Sequence, residues 1–232
     1  MNYAVSDLHG YYELYEKINQ RISTNDTVYF LGDAADRGPR GWDTMVAIAS
    51  DPHWIYLKGN HEQMLENAIR DYYKYDGYPT ESYHLLCYNG GKETFESWQA
   101  NGCKIEWANL LYKLPVYLEL ETVMGNLILN HAGFTYDGSI PKDTYDLLWS
   151  REHFYSSSEY LKDKTVIHGH TPVPMLIYEL GGSKYDVYDW YDKPTAYFYD
   201  MENKIDIDCG TAGQIHRTIL FNLDTFESEV IA

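Results

Sequence analysis

The chain has 232 residues and a formal net charge of −17, from 35 acidic and 18 basic side chains. Such an acidic surface argues against nucleic acid and anionic membranes as partners, because both are bound through basic patches. Three cysteines without a Cys-x-x-C pair argue against a disulfide framework and a zinc knuckle, and no apolar run reaches membrane-spanning length.

The same composition predicts a cytoplasmic protein with one domain over residues 1–232. The length suffices for one large hydrophobic core, and the cysteine usage suits a reducing compartment. The first residues carry no basic-then-apolar signal pattern. The 24 tyrosines are unusual. Because tyrosine combines apolar area with a polar tip, we expect many of them half-buried around a cleft or groove.

The first quarter of the chain predicts three strands that alternate with helices. Apolar runs predict strands at 1–6, 27–31 and 54–57, and helical spacing of apolar residues predicts helices at 11–22 and 42–49. Alternating elements of this kind form a parallel sheet with right-handed crossovers.

The middle of the chain predicts an inserted helical layer at about 62–114, because a helical pattern continues there with Gly, Pro and Asn interruptions. A hairpin should follow, with strands at 116–122 and 127–129 and a turn at Gly125-Asn126.

The last third predicts one short helix and mostly antiparallel strands. The helix is expected at 143–149, and a strand is expected at 165–167. Alternation of polar and apolar residues predicts the remaining strands at 173–177, 197–201, 204–207 and 218–223.

Polar clusters follow five of these strands. They are Asp7/His9, Asp33/Asp36/Arg37, Asn60/His61/Glu62, His131 and His170. Strand carboxyl ends in one sheet meet at one edge, so we expect these side chains to share a pocket at the rim of a single sheet. Mixed imidazole and carboxylate ligands favour Mn²⁺, Fe or catalytic Zn²⁺. The positions are too many for one tetrahedral ion and indicate two ions that share a carboxylate.

The ordered motifs resemble those of the calcineurin-like metallophosphoesterases, and more closely the phosphoprotein phosphatase branch in its compact bacterial and phage form. The motifs are Asp-Leu-His-Gly from residue 7, Gly-Asp-Ala-Ala-Asp-Arg-Gly from 32, Gly-Asn-His-Glu from 59, His-Ala-Gly from 131 and Gly-His-Thr-Pro from 169. The segment 206–211 resembles the closing strand of the family. The resemblance implies an α/β fold in which a β-sandwich is flanked by helices, in four α/β/β/α layers.

The resemblance also implies a dinuclear metal centre and its ligands. The ligands of the first ion would be Asp7, His9 and Asp33. Asp33 would bridge to a second ion, whose other ligands would be Asn60, His131 and His170. The implied ions are divalent, with Mn²⁺ favoured and Fe, Zn²⁺ or Ni²⁺ as alternatives.

The implied reaction is hydrolysis of phosphomonoesters by in-line attack of a bridging hydroxide, without a phosphoenzyme. His61 corresponds to the general acid of the family, and Asp36 orients it. The corresponding phosphate-binding residues are Arg37, Arg151 and Asn60. Arginine suits this role because its guanidinium binds phosphate in a bidentate fork.

Two positions depart from the family pattern. Ser6 stands where the family commonly has Gly, and Pro172 stands where phosphodiesterases and nucleases of the superfamily have a second His. The second departure favours monoester substrates, in agreement with the presence of Arg37 and His61.

Several residues keep two interpretations. Arg151 is either a phosphate clamp or a charge at a helix end. His168 is expected to pack and not to bind metal, and Glu62 is expected to support the ligands and not to join them. The tyrosine-rich stretch 185–199 is either an aromatic wall for substrate or a hairpin with solvent-facing tyrosines.

The function therefore has three candidates. The first is a serine/threonine protein phosphatase that acts on phosphoproteins, and the second is a hydrolase of dinucleoside tetraphosphates or another small phosphate compound. The third is a non-catalytic interaction domain, against which the intact ligand positions argue. The spacing of Cys209 and Arg217 is longer than the cysteine phosphatases use, and Gly91-Lys92 lacks the remainder of a nucleotide P-loop.

Overall fold

The computed structural model describes residues 1–137, 139–157, 159 and 161–232. A first sheet contains, in spatial order, β10 (Ser228–Ile231), β9 (Thr218–Asn222), β1 (Asn2–Val5), β2 (Thr27–Phe30) and β3 (Trp54–Tyr56). Strands β1, β2 and β3 are parallel, as predicted. Strand β9 runs antiparallel to β1, and β10 runs antiparallel to β9.

A second sheet contains, in spatial order, β4 (Tyr117–Thr122), β5 (Gly125–Asn130), β6 (Lys164–His168), β8 (Lys204–Asp206) and β7 (Tyr197–Tyr199). Strands β5, β6 and β8 are parallel, and β4 and β7 pair antiparallel at the two edges. The parallel strands of both sheets therefore bring the loops at their carboxyl ends to defined edges.

Helices surround the two sheets. They are α1 (Tyr12–Arg21), α2 (Gly41–Ser50), α3 (Asn60–Lys74), α4 (Glu81–Tyr88), α5 (Lys92–Ala100), α6 (Glu106–Lys113), α7 (Thr144–Leu148), α8 (Val173–Glu179) and α9 (Lys184–Asp192). Helices α3 to α6 form the helical insertion that the sequence predicts at 62–114. None of the helices in the described parts of the chain has the length and apolar character that a membrane crossing requires.

Three apolar layers hold these elements together. Between the sheets, Leu31, Leu129 and Ile205 belong to one fully buried cluster. On the outer face of the first sheet, Phe30 packs in a cluster that includes residues of α1, α2, α3 and α5, and on the outer face of the second, Ile128 packs in a cluster with residues near α7. Neighbouring residues of a strand point to opposite faces, so each sheet is covered on both sides. This arrangement confirms the predicted four-layer α/β/β/α fold.

Two segments differ from their predictions. The hairpin turn lies at Val123 and Met124, because Thr122 pairs directly with Gly125. Residues 173–177, predicted as a strand, lie in α8 instead. Their buried side chains include Val173, Leu176 and Ile177, which is helical spacing, and Pro174 fits the first turn of a helix because its ring presets the helical φ.

The tyrosine-rich stretch is also not a hairpin, because residues 184–192 form α9. Ser183 caps this helix: its hydroxyl oxygen accepts hydrogen bonds from the amides of Tyr185 and Asp186, and the Asp186 carboxylate accepts one from the Ser183 amide. This reciprocal capping box favours a helix start over a turn between strands.

Leu129→Ala tests the inter-sheet core. Leu129 is fully buried, so we expect the substitution to lower the free energy of unfolding by about 2–5 kcal/mol, measured by urea denaturation. Leu85→Ala on α4 is the control, because Leu85 is 48% exposed and should lose less than about 1 kcal/mol. Equal losses in the two variants would contradict the placement of Leu129.

Candidate metal centre

The candidate site lies where loops from both sheets meet. Asp7, Asp33 and Asn60 follow β1, β2 and β3 of the first sheet, whereas His131 and His170 follow β5 and β6 of the second. The expectation of a single sheet rim is therefore wrong. Sequence patterns locate strand ends but do not show which strands pair, and the helical insertion separates the two groups along the chain.

The Asp33 carboxylate is the centre of this cluster. Its Oδ2 atom lies 3.4 Å from His131 Nε2 and 3.8 Å from the Nε2 atoms of His9 and His61. All four residues are buried. The donor atoms form two candidate metal-binding groups, His9–Asp33–His61 and Asp33–His131–His170, which share Asp33.

The second group includes an amide oxygen. Asn60 Oδ1 lies 2.8 Å from His131 Nε2 and 3.1 Å from His170 Nδ1, and the two ring nitrogens are 3.2 Å apart. Three polar atoms from three separate parts of the chain thus lie within 3.2 Å of one another. A carboxylate, an amide oxygen and two imidazole nitrogens are suitable ligands for a divalent transition metal ion.

Backbone contacts prepare two of the histidines for metal binding. His9 Nδ1 lies 3.1 Å from the carbonyl oxygen of Ala35, and His131 Nδ1 lies 2.8 Å from that of Leu31. A carbonyl oxygen only accepts, so each Nδ1 carries the donated proton. The Nε2 atom of each ring is then directed into the cluster, that of His131 toward Asp33 and that of His9 toward Arg37 Nη1.

Asp7 lies beside the first group. Its Oδ1 is 3.8 Å from His9 Nε2, and its Oδ2 accepts hydrogen bonds from the Ser6 hydroxyl and, at 3.0 Å, from the His170 amide. The structure therefore brings together the six side chains that the sequence analysis lists as ligands. It also places His61 within the first group, next to His9 and Asp33.

His61 and Asp36 form a buried pair. His61 Nδ1 lies 2.7 Å from Asp36 Oδ2, and the His61 amide donates to Asp33 Oδ1 at 3.0 Å. Burial lowers the pKa of His61, but the charge of Asp33 and the hydrogen bond to Asp36 outweigh burial, so the pKa is raised above its ordinary value. Asp36 therefore accepts a hydrogen bond from the Nδ1–H of the ring, and Nε2 lies on the side of the ring away from Asp36.

Two arginines lie at this site. Arg37 Nη1 is 3.0 Å from His9 Nε2, and its Nη2 is 2.9 Å from His61 Nε2. Its backbone amide donates to the Gly90 carbonyl after α4, so the helical insertion helps to position it. Arg151 Nε donates to the hydroxyl of Thr171 at 2.8 Å, next to His170.

A buried lysine fastens the segment that follows Arg151. Lys204 on β8 is 2% exposed, and its Nζ donates to the carbonyl oxygens of His153 and Ser156 at 2.7 Å each. These two carbonyls belong to the short 3-10 turn Glu152–Tyr155 and the residue after it. The second sheet thus sets the position of the segment that carries Arg151.

Glu62 supports the loop that carries Asp33. Its Oε2 accepts hydrogen bonds from the amides of Asp33 and Gly59 at 2.8 Å, and its Oε1 accepts from the Ala34 amide at 2.9 Å and the Tyr56 hydroxyl at 2.7 Å. A Cβ at Gly59 would lie 2.2 Å from Asp33 Oδ1, so only glycine fits beside this carboxylate. Glu62 therefore acts on the cluster through Asp33.

Two further residues lie beside the cluster. Asp208 and Tyr191 line an open cavity of about 280 Å³ together with His9, Arg37 and Pro172. Burial and the charge of Asp7 raise the pKa of Asp208 well above its usual range. Asp208 directly follows the strand predicted at 204–207, so its position at a strand end could have identified it as a candidate from the sequence. Tyr191 belongs to the stretch 185–199, for which an aromatic wall beside the substrate was one of the two interpretations.

His168 lies outside both donor groups. Its Nε2 is 2.7 Å from the Tyr199 hydroxyl, and its Nδ1 is 3.1 Å from the Gly169 carbonyl oxygen. Burial lowers the pKa of His168 to about 4. These contacts agree with the interpretation of His168 as a packing residue.

Comparison with known proteins gives a family match and a set of similar folds. The family model described as calcineurin-like phosphoesterase matches residues 3–208. No curated protein matches the chain by sequence.

Three solved structures with similar folds belong to proteins described with different activities. A candidate diadenosine tetraphosphatase has a TM-score of 0.62 at 14% identity, over 99% of this chain and 92% of that chain. A serine/threonine phosphatase from Saccharomyces cerevisiae similar to human PP5 has 0.56 at 13%, over 99% and 79%. A cold-active protein-tyrosine phosphatase from a Shewanella species has 0.55 at 13%, over 100% and 80%. At such identities the likeness shows the fold alone.

Glu62→Gln tests the support of the Asp33 loop. An amide NH₂ would replace one oxygen that now faces donors, so we expect a loss of about 2–3 kcal/mol in the free energy of unfolding. Urea denaturation measures this loss. The control is Glu13→Gln in the exposed first turn of α1, which should change little. A Glu62→Gln protein as stable as the parent would contradict the assigned role.

Proposed function

Because the chain belongs to the calcineurin-like phosphoesterase family, we propose that it is a metal-dependent phosphomonoester hydrolase, and specifically a serine/threonine protein phosphatase. One observation carries this proposal: two donor groups share Asp33, and a His–Asp pair and an arginine lie directly against them. That combination supplies a site for two ions, a proton donor and a phosphate ligand within one cluster.

The proposed metal ligands are the six predicted from the sequence. Asp7, His9 and Asp33 would hold one ion, and Asp33 with Asn60, His131 and His170 would hold the other. The backbone carbonyls of Ala35 and Leu31 hold the Nδ1 atoms of His9 and His131, which directs Nε2 of each ring to the proposed ions and supports this assignment. The mixed oxygen and nitrogen donors favour Mn²⁺, with Fe, Zn²⁺ and Ni²⁺ as alternatives. Bound divalent ions supply Lewis acidity and lower the pKa of water that attacks phosphorus.

His61 is the proposed general acid. Its Nδ1 donates to Asp36, and the charge of Asp33 and the hydrogen bond to Asp36 raise its pKa. Once Arg37 pairs with phosphoryl oxygens instead of His61 Nε2, that nitrogen would carry a proton for the leaving oxygen. An alkoxide leaving group such as that of serine needs this proton, since it is a strong base. Asp36 would orient the ring and stabilise its charge.

Arg37, Arg151 and Asn60 are the proposed phosphate-binding residues. The Arg37 guanidinium lies against His9 and His61, so it can pair with phosphoryl oxygens beside the general acid. The phosphoryl group would pass directly to water in an in-line displacement, and no phosphorylated side chain would form. Pro172 lines the cavity at a position where phosphodiesterases have a second His, which supports monoesters as substrates.

The alternative substrates use the same cluster. A dinucleoside tetraphosphate or another small phosphate compound would need the same ions, acid and arginines, so substrate choice has to come from groups outside the cluster. A non-catalytic interaction domain is the least supported candidate, because each predicted ligand position is intact.

Metal removal and substrate choice test the proposal together. We expect the chelated protein to be inactive, and Mn²⁺ to restore hydrolysis of p-nitrophenyl phosphate and of a phosphoserine peptide. Bis(p-nitrophenyl) phosphate should be hydrolysed much more slowly. Fast diester hydrolysis with inert monoesters would refute the assignment, and so would full activity in protein that elemental analysis finds free of metal.

Asp33→Asn tests the shared ligand. Asp33 belongs to both donor groups, so its loss should lower occupancy at both, measured as metal per chain by elemental analysis of Mn²⁺-loaded protein. Asp137→Asn, an exposed residue, is the control and should retain both ions. Retention of both ions by Asp33→Asn would contradict a shared carboxylate.

His61→Asn tests the general acid. We expect kcat for a phosphoserine peptide to fall by about 10²–10⁴-fold, with a smaller loss for p-nitrophenyl phosphate, whose leaving group needs no proton. Metal content should stay unchanged. The control is His84→Asn on the exposed surface of α4. Loss of metal in His61→Asn would instead identify His61 as a ligand, and equal losses for both substrates would argue against proton donation.

A further inference from the structure

Helix α9 presents tyrosines and aspartates together on an exposed surface. Tyr185 and Tyr188 are 66% and 62% exposed. Asp186, Asp189 and Asp192 are exposed on the same helix, with Lys184 at its start and Lys193 just after its end. Because the Asp186 carboxylate is engaged in the N-terminal capping box, the carboxylates of α9 that can contact a bound peptide are those of Asp189 and Asp192.

This helix ends at the cavity of the metal centre. Tyr191, in its last turn, lines the cavity with His9 and Arg37. The Tyr191 carbonyl accepts a hydrogen bond from Arg217 Nη2 at 2.9 Å, and the buried Trp190 donates from Nε1 to the Thr195 carbonyl at 2.8 Å. The exposed face of α9 is therefore held in a fixed position beside the mouth of the cavity.

The length of α9 matches a short stretch of peptide. Nine helical residues extend for about 13 Å, which is the length of about four residues of extended chain. A peptide whose phosphorylated residue enters the cavity would pass its neighbouring residues along this face. A small phosphorylated molecule would not reach most of it.

The chemistry of the face favours cations. Carboxylates pair with lysine and arginine, and tyrosine rings attract cations through their π faces. The protein already shows such a contact, because Lys184 Nζ lies 5.2 Å from the centre of the Tyr185 ring. The net charge of −17 adds a long-range attraction for basic peptides and repels a polyanion such as a dinucleoside tetraphosphate.

We propose that α9 is a docking surface for basic residues that flank the phosphorylated residue of a protein substrate. This inference rests on the proposed phosphomonoesterase function and narrows its substrate class to basic phosphoproteins. The phosphate would be bound by the arginines at the metal centre, and α9 would select for the residues beside it.

The test compares phosphoserine peptides that differ only in flanking residues: lysine and arginine, uncharged residues, or glutamate. With the Mn²⁺-loaded full chain, kcat/KM should be about 3–10-fold higher for the basic peptide than for the uncharged one, and lowest for the acidic one. Because surface charges are screened by salt, the preference should shrink at high ionic strength.

Charge reversals on α9 test whether this helix causes the preference for basic peptides. Asp189→Lys and Asp192→Lys should each reduce the ratio of kcat/KM between the basic and the uncharged peptide, and Tyr188→Ala should reduce it as well. The matched control is Glu121→Lys on β4, where Glu121 is exposed and pairs with Asn126 near the start of β5. The metal centre lies at the opposite, carboxyl end of β5, so Glu121 is remote from it. This control changes the net charge equally and should keep the parent ratio.

The outcomes separate the docking surface from the catalytic assignment. The docking proposal is overturned if the parent shows no basic preference, if Glu121→Lys reduces the ratio as much as Asp189→Lys does, or if a dinucleoside tetraphosphate is the better substrate. Failure to hydrolyse p-nitrophenyl phosphate and every peptide would overturn the proposed function itself. Loss of the ratio in the α9 variants alone supports docking.

Discussion

A hydrogen bond between His131 Nδ1 and the Leu31 carbonyl oxygen, 2.8 Å long, joins the carboxyl edges of the two sheets. It directs the His131 Nε2 atom to Asp33 and Asn60, which come from the other sheet. The cluster therefore depends on how the two sheets face each other. The apolar layer between them, which includes Leu31 and Leu129, sets that relation. The packing of this core therefore sets the positions of the donor atoms.

The loops that carry the cluster adopt an uncommon backbone conformation. Residues with positive φ include Asp7, His9, Asp33, Asp36, Arg37 and His170. Left-handed conformations of residues other than glycine cost of the order of 1 kcal/mol or more each and persist only where the surroundings enforce them. Glu62 supplies part of that enforcement, because it accepts hydrogen bonds from the Asp33 and Ala34 amides. Part of the backbone strain of the protein thus lies where donor atoms converge.

The proposed chemistry and the proposed selectivity belong to different parts of the chain. The proposed metal ligands and Arg37 follow strands directly, in loops or, for Asn60, in the first turn of α3, so the sheet geometry fixes them. His61 lies beside Asn60 in the same turn. The surface of α9 lies outside the cluster and touches the cavity only through Tyr191. A shared fold leaves substrate choice to such peripheral elements.

The sequence predicted the parallel strands of the first sheet, the helical insertion and the polar residues at strand ends, because apolar periodicity and strand-end position are local properties. It did not predict β10, the edge strand of the same sheet. The pairing of β5 and β6 in a second sheet could not be predicted, since pairing depends on contacts between residues far apart in the chain. The same limit applies to Tyr191, whose contact with the cavity depends on the packing of α9. The strand predicted at 173–177 has a different cause, because local alternation was followed there although the spacing of Val173, Leu176 and Ile177 is helical. Sequence alone therefore determined which residue types are available for phosphate chemistry. Tertiary structure decided which of them face one another, because only the packing of the two sheets brings distant loops within bonding distance.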